Sequence, residues 1–351
     1  MRITIVTDAW APQINGVVRT LQTIVGKLEA RGHTVQLITP SLFRSLPCPT
    51  YPEIRLALAP RREVAKRIAE FSPDAIHIAT EGPLGIAARH ACLKNALPFT
   101  TAFHTRFPEY VSARTRLPAD WFWHYIRWFH APAQRILTAT PRLAEELHAR
   151  GLPHTAQWTR GVDLSRFHPD AQPHPALAAL PRPVQLYVGR VAIEKNLEAF
   201  LQTRHPGTKV IVGDGPALPA LRQKYPDAVF LGPLQGEALA GTYANADVFV
   251  FPSETDTFGL VMIEALASGL PVAALPVPGP LDVIGVDGRG TVRGWHAPVG
   301  SLHDNLEIAI GAALRCNRNA CARYAGNFSW EESTRQFLAA LTPITPVALA
   351  A

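Results

Sequence analysis

The feature that most constrains this chain is an alternation. Short apolar runs are each followed by a loop and a stretch with helical spacing, and the series begins again past mid-chain. Arg2–Thr7 carries Ile3, Ile5 and Val6 as a short buried strand. A loop through Asn15-Gly16 leads to residues 17–31, where Val17, Leu21, Ile24, Val25 and Leu28 fall on one helical side. Arg31-Gly32-His33 ends that helix, and Thr34–Thr39 is the next strand. Ala75–Ile78, Phe99–Phe103 and Ile136–Ala139 are further strand-like runs. After a Pro-rich stretch, Pro169 to Pro183, the pattern restarts with Val184–Val188, a loop holding Gly189-Arg190, and a helix from about Asn196. Val210–Val212, Val229–Leu231, Val248–Phe251 and Pro271–Ala274 supply more strands. Strand–helix alternation of this kind demands parallel sheets wound by right-handed crossovers. The reading is therefore α/β, with two Rossmann-like domains at 1–168 and 169–327. Each would hold ligands at the carboxyl ends of its strands, with the cleft between them as the default site.

Length agrees: 351 residues exceed one ordinary core. With 47% hydrophobic and 18% charged residues, the chain is globular, which sets aside disorder and coiled coil. Cys48, Cys92, Cys316 and Cys321 form no Cys-x-x-Cys pair and have no zinc-finger spacing, so reduced thiols of a cytosolic protein are expected. The first residues are too short and too soon charged for a secretory signal, and no apolar run approaches the roughly 18 residues that span a bilayer. The expectation is a cytoplasmic protein, soluble or attached to a surface. Charge is uneven. Residues 1–168 hold 21 Lys and Arg against 12 Asp and Glu, giving +9, and the remainder holds 13 against 16, giving −3. The basic half suits an anionic membrane surface or a phosphorylated ligand. No recognised nucleic-acid motif accompanies it. A merely solubilising Arg-rich surface is the plain alternative.

The densest chemistry lies between Phe251 and Pro271. A strand ends at Phe251, a polar loop follows, and a helix begins near Phe258-Gly259 and stops at Gly269. Free backbone N–H groups at such a helix start, with a glycine allowing close approach, make an anion site. Asp256 stands where its carboxylate could cap the helix, and Glu264, two turns on, offers an acceptor for vicinal sugar hydroxyls.

These residues resemble a known family. Asp256-x7-Glu264 resembles the E-x7-E signature of family 4 of the retaining glycosyltransferases, with Asp at the first position. Asp8 through Arg19, with Gly16, is similar to its glycine loop, and Phe103-His104-Thr-Arg106-Phe-Pro-Glu-Tyr110 to its first-domain His segment. Arg160-Gly-Val-Asp163 is similar to its interdomain segment, Gly189-Arg190 through Lys195-Asn to its phosphate-binding Arg and Lys, and Gly213-Asp214-Gly-Pro216 to a further loop. The resemblance implies the two-domain GT-B fold, with helix 328–345 packing back on the first domain. It also implies a hexosyl group taken from a nucleotide-diphosphate sugar, GDP-mannose or a UDP-hexose, with no metal. Absence of any Asp-x-Asp agrees. On this reading His104, Arg190, Lys195 and Asp256 are catalytic. Gly16, Gly213, Asp214, Phe258, Gly259, Leu260 and Glu264 bind donor. Arg190 and Lys195 would stabilise charge on the leaving diphosphate, the role a metal plays elsewhere. His104 would touch a sugar hydroxyl, and Gly16 would let backbone approach the donor phosphates. Surface salt bridging for Arg190, an ordinary loop role for Gly16 and hinge bracing for Asp163 are the bland counterparts.

Tyr110 to Arg135 interleaves aromatic and basic groups, including Arg114, Arg116, Trp121, Trp123, Arg127 and Trp128. Such a helix either packs on the first domain or lies at a bilayer interface. Arg106, Tyr110, Trp121 and Trp128 are the acceptor- or membrane-facing candidates, which makes a lipid or lipid-linked hydroxyl acceptor an expectation. The rival readings are a nucleotide-sugar epimerase, a non-catalytic binding module and a dinucleotide oxidoreductase. The last lacks its Gly-x-Gly-x-x-Gly after the first strand.

Overall fold

A computed structural model describes residues 1–345 apart from Ile14, Pro49, Thr50, Ala59, Thr105, Phe107, Glu109, Tyr110, residues 113–117 and Thr255; the side chains of residues 51–54 also lie outside the description. The chain divides into two compact units, Met1–Thr159 with Trp330–Ala351, and Arg160–Ser329.

In the first unit, β1 (Arg2–Val6) and β2 (Thr34–Ile38) are followed by an antiparallel hairpin of β3 (Ser45–Cys48) and β4 (Tyr51–Ala57). β5 (Ala75–Ile78), β6 (Thr100–Ala102), β7 (Arg135–Thr138) and β8 (Thr155–Gln157) complete the unit. Apart from the hairpin these strands make one parallel sheet in the order β2-β1-β5-β6-β7-β8. β1 is paired on both sides, with Ile5 opposite Leu37 on β2 and His77 on β5. Ile3, Thr4, Ile5 and Val6 are all buried because helices cover both faces of such a sheet. Helix Gly16–Ala30 buries Leu21, Ile24 and Leu28, the stripe its periodicity marks, and Asn15 caps it by accepting the N–H groups of Val17 and Val18 at 3.0 Å each.

The helix Trp330–Ala340 belongs to this first unit. Phe337 is buried edge-on to His77, with ring centroids 5.0 Å apart, and packs against Trp158 at 5.1 Å. Gln336 accepts both the N–H and the hydroxyl of Thr159, at 2.7 and 2.9 Å, and the Ser333 hydroxyl donates to the Thr159 carbonyl at 2.7 Å. Lys27 pairs with Glu331.

The second unit repeats the plan. β9 (Val184–Val188), β10 (Thr208–Val212), β11 (Val229–Gly232), β12 (Val248–Phe251), β13 (Val272–Ala274) and β14 (Gly300–Leu302) form a parallel sheet ordered β11-β10-β9-β12-β13-β14. Every residue of β9 and β12 is buried. The chain runs from β9 outward to β10 and β11, then returns to β12 on the other side. The order therefore reverses between β9 and β12, and the carboxyl ends of these two strands are where folds of this kind hold ligands. Tyr187, Phe200, Leu201, Ile211, Val250 and Ile310 centre the core beneath. None of the four cysteines is in a disulfide, and among the described residues no helix is long and apolar enough to cross a membrane.

Candidate active site

In the second unit the loops that leave β10, β9 and β12 are joined into one rim. The Gly189 N–H donates to the Val212 carbonyl at 3.0 Å and the Val191 N–H to the Asp214 carbonyl at 2.9 Å. Gly213, at φ +140°, sits so close that a Cβ there would lie 1.9 Å from the Gly189 carbonyl oxygen. Its glycine is explained by loop-on-loop packing, independently of any ligand. Asp214 is exposed and folds back on the Gly215 N–H at 2.7 Å. Arg190 is half-buried on this rim, its carbonyl accepting the Tyr187 hydroxyl at 2.8 Å.

On the other side of β9, a 3-10 turn at Ile193–Lys195 places the Lys195 ammonium 2.6 and 2.8 Å from the two carboxylate oxygens of Asp256. The neighbouring Asn196 amide donates to Glu254 at 3.1 Å. Asp256 therefore does not take the capping role its position suggests. Helix Leu260–Ala267 starts behind Gly259 at φ +82° and has no side-chain cap. The Met262 N–H donates to the Gly259 carbonyl at 3.0 Å, and no side chain caps the N–H groups ahead of it, where the helix end favours an anion. The helix also starts a residue beyond Phe258-Gly259, because the left-handed turn at Gly259 still belongs to the loop. Phe258 is buried edge-on to Phe328 at 6.1 Å. Glu264, one turn along the helix from Leu260, is 3% exposed and accepts the Tyr243 hydroxyl at 3.2 Å. This orients a carboxylate beside the helix start.

The first unit carries the remaining candidates. His104 follows β6 by two residues, half-buried, with its ring edge-on to buried Trp158 at 5.3 Å. Gly16 is the exposed first residue of helix Gly16–Ala30. Arg106 forms an ion pair with Glu146 of helix Pro141–Ala149. Tyr110, Arg114 and Arg116 lie outside the described residues. The aromatic–basic stretch forms helix Ala119–His130, whose Trp123, Ile126, Phe129 and His130 are buried. Its opposite face holds Trp121, 64% exposed, and Trp128, 48% exposed, with the Arg89 guanidinium stacked 4.1 Å over the Trp128 ring. Asp163, which belongs to the second unit, braces its own turn, accepting the Ser165 hydroxyl at 2.6 Å.

Sequence reasoning missed a cluster of polar groups at the carboxyl ends of β1, β5 and β6. Asp8 accepts the N–H groups of Leu84 and Gly85, at 2.9 and 3.3 Å, and the Thr80 hydroxyl at 3.0 Å, and so caps helix Pro83–Lys94 from another strand. Burial pushes its carboxyl up to about 6, against those hydrogen bonds, which favour the charge. Glu81 bonds to Nε2 of wholly buried His130 at 3.2 Å, and His130 Nδ1 meets the Thr101 hydroxyl at 2.8 Å. Glu81 and His130 are 49 positions apart, so no local spacing betrays them.

Residues 14–166 match the model of Glycosyltransferase Family 4, and residues 182–315 match that of Glycosyl transferases group 1. A GDP-mannose-dependent alpha-mannosyltransferase of Mycolicibacterium smegmatis is 35% identical over 309 residues, 81% of this chain and 82% of that one. The chain belongs to glycosyltransferase family 4. Its two parallel-sheet units are those of the GT-B fold. Sucrose-phosphate synthase from Thermosynechococcus elongatus superposes with a TM-score of 0.74 at 20% identity, over 96% of this chain and 97% of that one. The alpha-monoglucosyldiacylglycerol synthase of Acholeplasma laidlawii is 28% identical over 325 residues, 78% of this chain and 79% of its own. Family membership decides for a glycosyltransferase over the dinucleotide oxidoreductase.

Proposed function

We propose that this glycosyltransferase moves a mannosyl group from GDP-mannose, with retention and without a metal ion, to a hydroxyl of a lipid or lipid-linked glycan. The observation that carries the donor half is the rim of the second unit. It brings a lysine ammonium, the half-buried Arg190 and an uncapped helix start onto loops that leave the carboxyl ends of β9 and β12, with buried Glu264 turned toward Tyr243 beside them. A diphosphate is the ligand that such an arrangement neutralises, and the charge growing on it as the glycosidic bond breaks is what Arg190 and Lys195 would stabilise. Glu264 would accept vicinal hydroxyls of the nucleoside. In a retaining front-face reaction the acceptor hydroxyl attacks beside the departing phosphate, whose oxygen takes the proton. His104 would hold a hydroxyl of the transferred sugar. The mannosyltransferase relative supports GDP-mannose as donor, and the diacylglycerol-modifying relative supports a lipid acceptor. The tryptophans that helix Ala119–His130 turns outward suit contact with a bilayer surface.

A thermal-shift panel with GDP, UDP, ADP and NAD, each with magnesium and with chelator, tests the donor half. A ligand confined to the folded state adds about 2.7 kcal/mol at one hundred times its Kd. The expected result is a shift with GDP that chelator leaves unchanged. A shift with UDP alone would move the donor to a UDP-hexose, and one that needs magnesium or NAD would refute the reading.

A further inference from the structure

We propose that Asp256 is the internal counter-ion of Lys195, and that the diphosphate of the donor must displace it, so that Asp256 sets how tightly the nucleotide is held and how readily it leaves. This deepens the donor reading above and rests on its assignment of Lys195 to the diphosphate.

The geometry is specific. Both carboxylate oxygens of Asp256 lie within hydrogen-bond distance of the ammonium, at 2.6 and 2.8 Å, and the two side chains are only 15% and 21% exposed. An ammonium has three protons. With two directed at Asp256, it cannot serve two phosphate oxygens without giving up at least one carboxylate oxygen. Nor is the carboxylate held by the helix start, since Gly259 carries no side-chain cap. Among the described residues its hydrogen bonds go to Lys195 alone.

The surroundings let one partner move and not the other. The backbone of Asp256 lies directly against helix Pro278–Val283, where a Cβ on Gly279 would come 2.9 Å from its carbonyl oxygen. The aspartate therefore has a fixed root and a one-carbon reach. Lys195 has a flexible four-carbon stem and can swing its charge to a ligand. The bond from Asn196 to Glu254 ties the same two loops one residue further on, so they stay joined while Lys195 changes partner. Each exchange leaves Asp256 as an uncompensated carboxylate near a bound polyanion. That weakens binding in the ground state and favours departure of the nucleoside diphosphate after transfer.

The test is calorimetric titration of GDP and of UDP into the parent protein, Asp256→Asn and Lys195→Ala, with GDP product inhibition measured on the first two. The amide keeps the size of the side chain and removes the charge. Asp256→Asn should bind the preferred nucleotide about ten- to hundredfold more tightly, the size expected for one like charge removed at roughly 6–12 Å near a protein surface, and the inhibition constant should fall by the same factor. Lys195→Ala should bind it at least about tenfold more weakly. A misfolded Asp256→Asn protein would not bind more tightly, so a gain cannot come from damage. Weaker binding by Asp256→Asn would make Asp256 a holder of Lys195 and overturn the proposal. Unchanged nucleotide affinity with lowered kcat would make Asp256 a sugar contact and overturn it equally. Both outcomes leave the donor reading standing as long as Lys195→Ala loses affinity. If the parent binds neither nucleotide, or Lys195→Ala binds as the parent does, the donor reading falls and the proposal with it.

Discussion

Asp8→Asn is the perturbation whose magnitude the structure fixes best. The Asp8 carboxyl ionises at about 6 in the folded chain against an ordinary 3.8, because burial disfavours the charge more than three hydrogen bonds favour it. Below pH 3.8 the group is protonated whether the chain is folded or not, and the native state carries no penalty. As pH rises the unfolded chain ionises first, and native stability drains away until pH passes 6. Above that, about 3 kcal/mol has been lost, at about 1.36 kcal/mol for each unit of displacement. Roughly half of that loss falls between pH 5 and pH 8 by the same linkage. Asparagine cannot ionise. Its carbonyl can still accept from Leu84, and the bonds it forfeits are a pH-independent offset of about 1 kcal/mol each. The stability of the variant relative to the parent should therefore climb by about 1.5 kcal/mol from pH 5 to pH 8. Urea unfolding followed by tryptophan fluorescence reads this out, since six of the seven tryptophans lie in the first unit. Parallel stability–pH curves for the two proteins would refute the burial argument.

Two further substitutions probe the other unit and the surface. Gly213→Ala forces a Cβ to 1.9 Å from the Gly189 carbonyl at φ +140°. It should lower the stability of the second unit by about 2–3 kcal/mol, read by urea unfolding followed by far-UV circular dichroism; unaltered unfolding would show that the two loops separate freely. Trp121→Ala with Trp128→Ala removes the outward apolar face of helix Ala119–His130 while leaving buried Trp123, Ile126 and Phe129 in place. Binding to anionic liposomes in sedimentation should fall about tenfold or more, and equal binding, or none by the parent, would end the membrane proposal.

How far the sequence could be read follows from where each residue gets its partners. β1, β9 and β12 are covered on both faces, so their apolar runs stand out unaided. The hairpin β3–β4 escaped because Pro47 and Pro52 within it read as loop. β8 and β14 are three-residue edge strands whose partial exposure leaves no apolar run to detect. At the candidate site, the motif spacing brings out Arg190, Lys195, Asp256 and Glu264 but not what each one touches. Asp256 looked like a helix cap because that helix is adjacent in sequence. The ammonium it binds is 61 positions away, and only the sheet order, with β9 beside β12, brings them together. The amphipathic helix Ala119–His130 shows both of its readings at once: one face is core, and the other has tryptophans to spare.

The chain passes between its two units twice, once at Thr159–Arg160 and again at Ser329–Trp330. On a ribosome this reverses the order in which the halves are finished. Residues 160–329 emerge whole and can close their own sheet before Phe337 appears to cover His77 and Trp158. At about 5–20 residues per second, the unit that starts first waits roughly 10 to 30 seconds for its last helix. Through that interval the flank around Trp158 lies open as an apolar patch, a natural hold for a chaperone. A fragment stopped at residue 159 would keep that patch for good, whereas 160–329 contains all of its own sheet and core and is the half to express alone.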